Sequence, residues 1–169
     1  ILSRLMENKT VFYTDVDASW MKSPFELLEN YSPYDMVIAD DSQWSSYEKH
    51  THTGPSKRIL CTGFMFFRPE ASSKALLREW VRILSRKNPT WNQGSFNEAV
   101  RNLPRKYQEK IGVFDVLQFP PGWLYWSKKL SEKKKKGVYM VHNNWIVGKV
   151  KKLRRFNESG LWVVPEGMF

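Results

Sequence analysis

Thr10-Val11-Phe12-Tyr13-Thr14-Asp15-Val16-Asp17 runs from β-branched and aromatic residues straight into two carboxylates. A compact apolar run of this kind reads as a buried strand delivering side chains to a sheet edge. On an extended chain residues i and i+2 share a face, so Asp15 and Asp17 are expected to converge beyond the strand's carboxyl end. Two hard oxygen ligands at such a place suit Mg²⁺ or Mn²⁺. The plainer reading is that they cap the next helix or pair with lysines.

Outward from this stretch, strands and helices alternate, which indicates an α/β sheet. Ile1, Leu2, Leu5 and Met6 have the spacing of a short amphipathic helix. Ser23-Pro24-Phe25-Glu26 has capping-box spacing and predicts a helix to about residue 30. A second apolar run, residues 35–39, ends at Asp40 and Asp41, and a polar loop follows to about residue 56. Residues 59–68 read as a third strand with a break at Gly63. Ser72 or Ser73 caps a helix to residue 86, with Ala75, Leu76, Trp80, Ile83 and Leu84 on its apolar face. A shorter helix over 93–102, a strand over 113–117, a turn at Phe119-Pro120-Pro121-Gly122-Trp123 and a strand over 138–141 complete the pattern.

The chain has 169 residues, 41% of them hydrophobic, enough for the core of one domain over 1–169. It begins at Ile1 without an initiator Met and reads as a fragment. Its net charge of +10 favours polyanions, phosphorylated ligands or an acidic membrane surface. The excess lies at 128–136 and 149–155, not in a stripe interleaved with aromatics, so no nucleic-acid partner is expected. The lysines around Lys133 read as a solvated loop, with membrane contact as the alternative. Cys61 is the only cysteine, which excludes an intrachain disulfide or a thiolate metal cluster. No stretch reaches the roughly 20 apolar residues of a membrane span, and no signal peptide is visible.

His142 closes the last apolar strand and is followed by Asn143, Asn144, Gly148, Lys149 and Lys152. The imidazole is a candidate third metal ligand; Gly148 would let backbone approach a phosphate that Lys149 or Lys152 neutralises. Lys151 and Arg155 read as solvated charges on the same basic helix. Trp123, Tyr125 and Trp126 are either core or a stacking platform for a ligand.

The ordered set Phe12-Tyr-Thr-Asp-Val-Asp-Ala-Ser-Trp20 with Pro24, Thr62-Gly-Phe-Met-Phe-Phe-Arg-Pro69, Asn92-Gln93 with Asn97, and His142-Asn-Asn-Trp-Ile-Val-Gly148 with Lys152 and Leu161-Trp162 resembles the nucleotide-diphospho-sugar transferases of the GT-A fold, in particular glycosyltransferase family 77. The resemblance implies a Rossmann-type mixed sheet flanked by helices, with a preceding nucleotide-binding portion outside this chain. It implies transfer of a sugar from a nucleotide-diphosphate donor, a UDP-sugar, to a glycan or glycoprotein hydroxyl, with retention of configuration. Asp15 and Asp17 would be the metal-binding DxD motif, His142 would complete the Mn²⁺ shell, and Gly148 and Lys152 would touch the diphosphate. Asp40 would sit near the donor sugar, and Thr62, Gly63 and Phe64 would floor the place where donor and acceptor meet. Asn92 and Gln93 would face the sugar; relatives usually carry Asp-Gln there, and Asn keeps hydrogen bonding without the charge. A Golgi-lumenal, type II membrane location, with the anchor outside this chain, is also implied.

Two rivals stand beside this reading. One is a haloacid-dehalogenase-like phosphatase, which also places Asp-x-Asp at a strand end with Mg²⁺; Asp40-Asp41 come too early for its downstream acidic pair. The other is a catalytically inactive, sugar-binding relative.

Overall fold

A computed structural model describes residues 1–42, 54–86, 91–128, 130 and 132–161. The polar loop expected at 43–53, Trp162 and the side chain of Lys133 lie outside the described residues. Four strands, β1 (Val11–Thr14), β3 (Met36–Asp40), β4 (Leu60–Phe67) and β5 (Ile111–Val113), form a mixed sheet in the order β1-β4-β3-β5. β4 is antiparallel to both neighbours, and β3 and β5 are parallel. A separate antiparallel ribbon joins β2 (Ala18–Trp20) to β6 (Met140–His142).

The central strands are apolar on both faces because both are covered, and every residue of β3 and β4 is buried. Met36, Ile38, Leu60, Met65 and Phe67 meet α1 (Leu2–Met6), α2 (Ala71–Leu84) and α3 (Asn92–Asn102) on one side. Val37, Ala39, Cys61, Phe64 and Phe66 meet Phe114, Phe119 and Met140 on the other. Phe64 stacks on Phe119 with centroids 5.1 Å apart and meets Trp20 edge-on at 5.2 Å, so an aromatic bed supports the ribbon.

Strict alternation would send Cys61 and Phe64 to opposite faces, yet both face the aromatic bed. The register between β3 and β4 shifts at Ile38/Ala39, from Ile38 opposite Met65 to Ala39 opposite Cys61. The extra residues bulge out around Gly63. The expected break is therefore a bulge within a continuous strand, and it turns the Gly63 carbonyl to accept from the Asp15 amide at 2.8 Å.

Several local expectations are corrected. Residues 25–31 form a 3-10 helix, Phe25–Tyr31, without a reciprocal box; Ser23 accepts only weakly, from the Phe25 amide at 3.4 Å. Ser72 and Ser73 do not cap α2, which starts at Ala71; both are buried and donate to the side chain and carbonyl of Asp35, tying α2 to the start of β3. Leu77 replaces Leu84 on the buried face. The strand expected at 113–117 ends at Val113, because Asp115 turns the chain by accepting from the Leu117 amide at 2.8 Å. The lysine-rich loop contains a short helix, α5 (Glu132–Lys135), after α4 (Arg105–Gln108). The basic helix is α6, Lys149–Glu158.

Candidate functional site

Asp15, Asp17 and His142 come together although they lie on β1's end, the following turn and β6. One ligand atom from each lies within 4.8 Å of the other two. His142 Nε2 is 3.3 Å from Asp17 Oδ1 and 3.6 Å from Asp15 Oδ2. The carboxylates do not converge by extended alternation: Ala18 N–H bonds back to the Asp15 carbonyl at 3.2 Å, making a tight turn. The turn is needed because the chain leaves the main sheet for the ribbon. The opposite end of the arrangement is fixed by β2–β6 pairing, with Ala18 opposite His142 and the Asn143 amide on the Asp17 carbonyl at 2.9 Å.

Gly63 belongs to this site through its missing side chain. A Cβ there would fall 2.2 Å from His142 Cε1, 2.7 Å from Nδ1 and 2.9 Å from Asp15 Oδ2. Behind the imidazole, Cys61 Sγ lies 3.4 Å from Nδ1. Burial pushes the Cys61 thiol up, with Asp41 and the two metal-site aspartates adding to it, so Cys61 is a neutral hydrogen-bond partner. With a cation in the cluster, an Nδ1–H facing that sulfur would leave the Nε2 lone pair to the ion. Two carboxylates and an imidazole make a donor set that fits Mn²⁺ or Mg²⁺.

The Asp17 carboxyl is held well below the usual carboxylate range. Burial raises its pKa, but hydrogen bonds and charge from His142 and Lys152 outweigh this and hold it at about 2. Lys152 Nζ lies 2.5 Å from Asp17 Oδ2. Lys152 stands in the first turn of α6, entered through Gly148, whose φ of +103° favours glycine. Asp15 accepts from the Tyr13 hydroxyl at 2.9 Å, and this bond raises the Tyr13 pKa, with burial and the Asp15 charge adding.

The expected sugar-facing residues separate into two groups. Asp40 does not reach the cluster as a free carboxylate: it is 2% exposed, paired with Arg58 at 2.6 Å, and accepts from the Ser42 amide at 2.9 Å. Its neighbour Asp41 is the carboxylate on the His142 side. Asp41 accepts from Gln93 Nε2 at 3.1 Å, Asn144 Nδ2 at 2.8 Å and Trp145 Nε1 at 2.7 Å. Burial pushes its pKa up against these three bonds, which lower it. The signal for Asp41 was in the strand: Val37 and Ala39 face the aromatic bed, so period two points to residue 41 and away from 40.

Gln93 thus joins the site, while Asn92 is exposed at the first position of α3 and its carbonyl accepts from Trp80 Nε1 at 3.3 Å. Asn97 is structural: its amide exchanges two 2.8 Å bonds with the Leu60 backbone, fastening α3 to β4. Asn143 and Asn144 carry more than sequence reasoning gave them. Asn143 Nδ2 donates to the Lys152 carbonyl at 3.0 Å, and Asn144 Oδ1 accepts from the Gly122 amide at 2.7 Å. Arg155 is not a solvated charge; it donates to Asn143 Oδ1 at 3.3 Å and to the Asn144 carbonyl at 3.1 Å, and lies 4.7 Å over the Trp126 ring. That leaves Tyr125 and Trp126 in the packing: Tyr125 is buried, and Trp126 is held by Arg155, Phe156 and a bond to Ser159.

The family model for nucleotide-diphospho-sugar transferases matches residues 1–156. The chain is 32% identical to the Arabidopsis thaliana UDP-D-xylose:L-fucose alpha-1,3-D-xylosyltransferase MGP4, over 92% of this chain and 45% of that protein. It is 28% identical to the Beta-arabinofuranosyltransferase RAY1 of the same plant, over 99% of this chain and 33% of that protein. The chain therefore spans less than half the length of these curated relatives. Among solved structures, the galactosyltransferase LgtC, in complex with donor and acceptor sugar analogs, superposes with a TM-score of 0.50 at 13% identity, over 98% of this chain and 68% of that one. The shared architecture is the GT-A fold. From the Asp-Val-Asp turn to the first helical turns of α6, the chain belongs to the nucleotide-diphospho-sugar transferase family.

Proposed function

We propose that the intact protein transfers a sugar from a UDP-sugar donor to a hydroxyl of a glycan or glycoprotein acceptor, with retention of anomeric configuration. The observation that carries this reading is the convergence of Asp15, Asp17 and His142 with Lys152 at one edge. Breaking the anomeric C–O bond leaves negative charge on the diphosphate, and a Mn²⁺ or Mg²⁺ ion held by the three ligands would neutralise it as a Lewis acid. Asp17, ionised down to acid pH, Asp15, and His142, braced by Cys61, would hold that ion. Lys152 serves the departing diphosphate, within reach of the same carboxylate edge. Gln93 and Asp41 orient the sugar, Asp41 taking the place expected of Asp40.

The matches favour a transferase and give no support to the phosphatase alternative. A Golgi-lumenal setting is part of this proposal; among the described residues no helix is long and apolar enough to cross a membrane. The test is release of UDP by the purified intact protein from UDP-xylose, UDP-galactose and UDP-arabinofuranose, with metal removed by chelation and then restored as Mn²⁺. Turnover that needs the ion and is lost in Asp17→Asn supports the proposal. Turnover indifferent to chelation, or none with metal-binding intact, overturns it, the latter in favour of an inactive sugar-binding relative.

A further inference from the structure

Trp145 combines two features that packing does not account for. Its backbone is left-handed, with φ of 57°, which a bulky side chain adopts only where its surroundings enforce it. Its ring nevertheless remains 50% exposed, and among the described residues it belongs to none of the three apolar clusters. What holds it is the polar tip: Nε1 donates at 2.7 Å to Asp41 Oδ1, an oxygen that also accepts from Asn144. Asp41 is only 6% exposed, so the indole is pinned to a buried, immobile acceptor while its ring stays accessible to solvent. An amphipathic side chain fixed at its polar end and bare along its apolar surface is a preorganised contact surface.

The surroundings narrow the ligand. Asn144, which shares Asp41 Oδ1 with Trp145, lines one small pocket together with His142, so the surface lies beside the metal site. The Gln93 amide bonds to the other oxygen of Asp41 and brings a neutral hydrogen-bonding group beside the ring. Flat apolar surface edged by neutral amides matches a sugar ring, which offers a C–H face for stacking and hydroxyls at its rim.

We propose that Trp145 is the floor of a saccharide subsite, stacking on the C–H face of a sugar ring, with Asp41 as the residue that positions it. The proposal rests on the transferase reading only for which sugar arrives, the acceptor's or the donor's. It also moves the aromatic platform from Trp123, Tyr125 and Trp126 to Trp145.

The test compares the intact protein with its Trp145→Phe, Trp145→Ala and Trp145→Gly variants. Glycine suits the left-handed backbone and removes the ring without strain, so it serves if alanine unfolds. Binding of methyl α-L-fucoside and methyl β-D-xyloside is read by saturation-transfer NMR, and binding of UDP and UDP-xylose with Mn²⁺ by calorimetry. Removing the ring should weaken one class of sugar by about tenfold, as loss of one aromatic contact does, while UDP alone changes less than about twofold. Phe keeps a ring but not the N–H that bonds Asp41, so it should recover only part of the loss. A deficit confined to the glycosides makes the sugar the acceptor's; a lost advantage of UDP-xylose over UDP makes it the donor's. Unchanged binding of all four ligands in the glycine variant, no saccharide binding by the parent protein, or a Phe variant as poor as Gly, overturns the proposal. A parent protein that binds sugars through Trp145 yet turns over no nucleotide sugar overturns the transferase reading and leaves the subsite standing.

Discussion

Lys152 and Asp17, 135 residues apart in sequence, are joined by an ion pair of 2.5 Å, while His142 Nε2 stands 3.3 Å from the other oxygen of the same carboxylate. Asp17 is thus held between two nitrogen groups that come from the far end of the chain. Its position is fixed by the β2–β6 ladder and by the first turn of α6 together.

The first prediction is a pH dependence. The folded pKa of Asp17, about 2, lies below its ordinary 3.8. The stability contributed by the ionised carboxylate is therefore complete above 3.8 and is lost as pH falls through about 2. Lys152→Met removes one of the two groups that lower the value, so the Asp17 carboxyl should titrate closer to 3.8 in a carbon-13 NMR titration. An unmoved midpoint would show that the lysine does not set it.

The second concerns the room left by Gly63. Gly63→Ala places a methyl 2.2 Å from His142 Cε1, and the imidazole must move. The expected cost is about 1–3 kcal/mol of stability, with Mn²⁺ affinity falling about 10–100-fold as ligand orientation is lost. Thermal melts and Mn²⁺ titration by paramagnetic resonance read the two effects. Parental Mn²⁺ affinity in a folded variant would mean that His142 is not a ligand.

A third prediction separates two adjacent carboxylates. The Asp40–Arg58 pair is buried, with side-chain exposures of 1% and 11%. Asp40→Asn breaks this buried pair and should cost on the order of 3 kcal/mol in urea denaturation. Among the described residues Asp41 has no such cation partner; the donors there, Gln93, Asn144 and Trp145, are neutral, and burial raises its pKa. For that raised group the sign is opposite to Asp17: the favourable state is complete below 3.8 and is lost as pH rises through the folded value. Asp41→Asn should therefore stay within about 1 kcal/mol of the parent at neutral pH while impairing transfer. Large destabilisation at Asp41 and little at Asp40 would reverse the two assignments.

The fourth distinguishes three cations on α6. Lys151 is exposed, and Lys151→Ala should change stability by less than about 0.5 kcal/mol. Arg155→Ala removes two hydrogen bonds and the Trp126 stack and should cost about 1–3 kcal/mol. Lys152→Ala should lower kcat by about 10²-fold, more than it raises the donor KM. Equal, small effects on kcat and stability at all three positions would reduce α6 to a basic surface helix.

The strand ends were legible because their signals are local. The apolar runs before Asp15 and Asp40 located β1 and β3, and the glycine at 63 marked the irregularity in β4. His142 was found because it closes a strand beside a run of small and basic residues. Asp40 was chosen over Asp41 because the choice depends on which face of β3 meets the ribbon, a tertiary fact that only strict alternation from Val37 would have revealed. β2 was missed because three residues of mixed polarity acquire strand structure only by pairing with β6. Arg155 and the asparagines at 143 and 144 were undervalued for the same reason, since many of their partners are backbone groups distant in sequence, whose placement no side-chain pattern records.

The division into a four-stranded sheet and a two-stranded ribbon has a mechanical consequence. Asp15 is anchored to the first through the Gly63 carbonyl and His142 belongs to the second, with Asp17 in the hinge between them. An ion gripping all three would act as a rivet across that seam, locking the ribbon's tilt against the main sheet. At a free-ion level one hundred times its dissociation constant, the rivet would strengthen the folded state by about 2.7 kcal/mol. Stiffening of the seam would appear as slower amide hydrogen exchange through local openings at Ala18 and His142, in addition to the global slowing that the buried β3 shares.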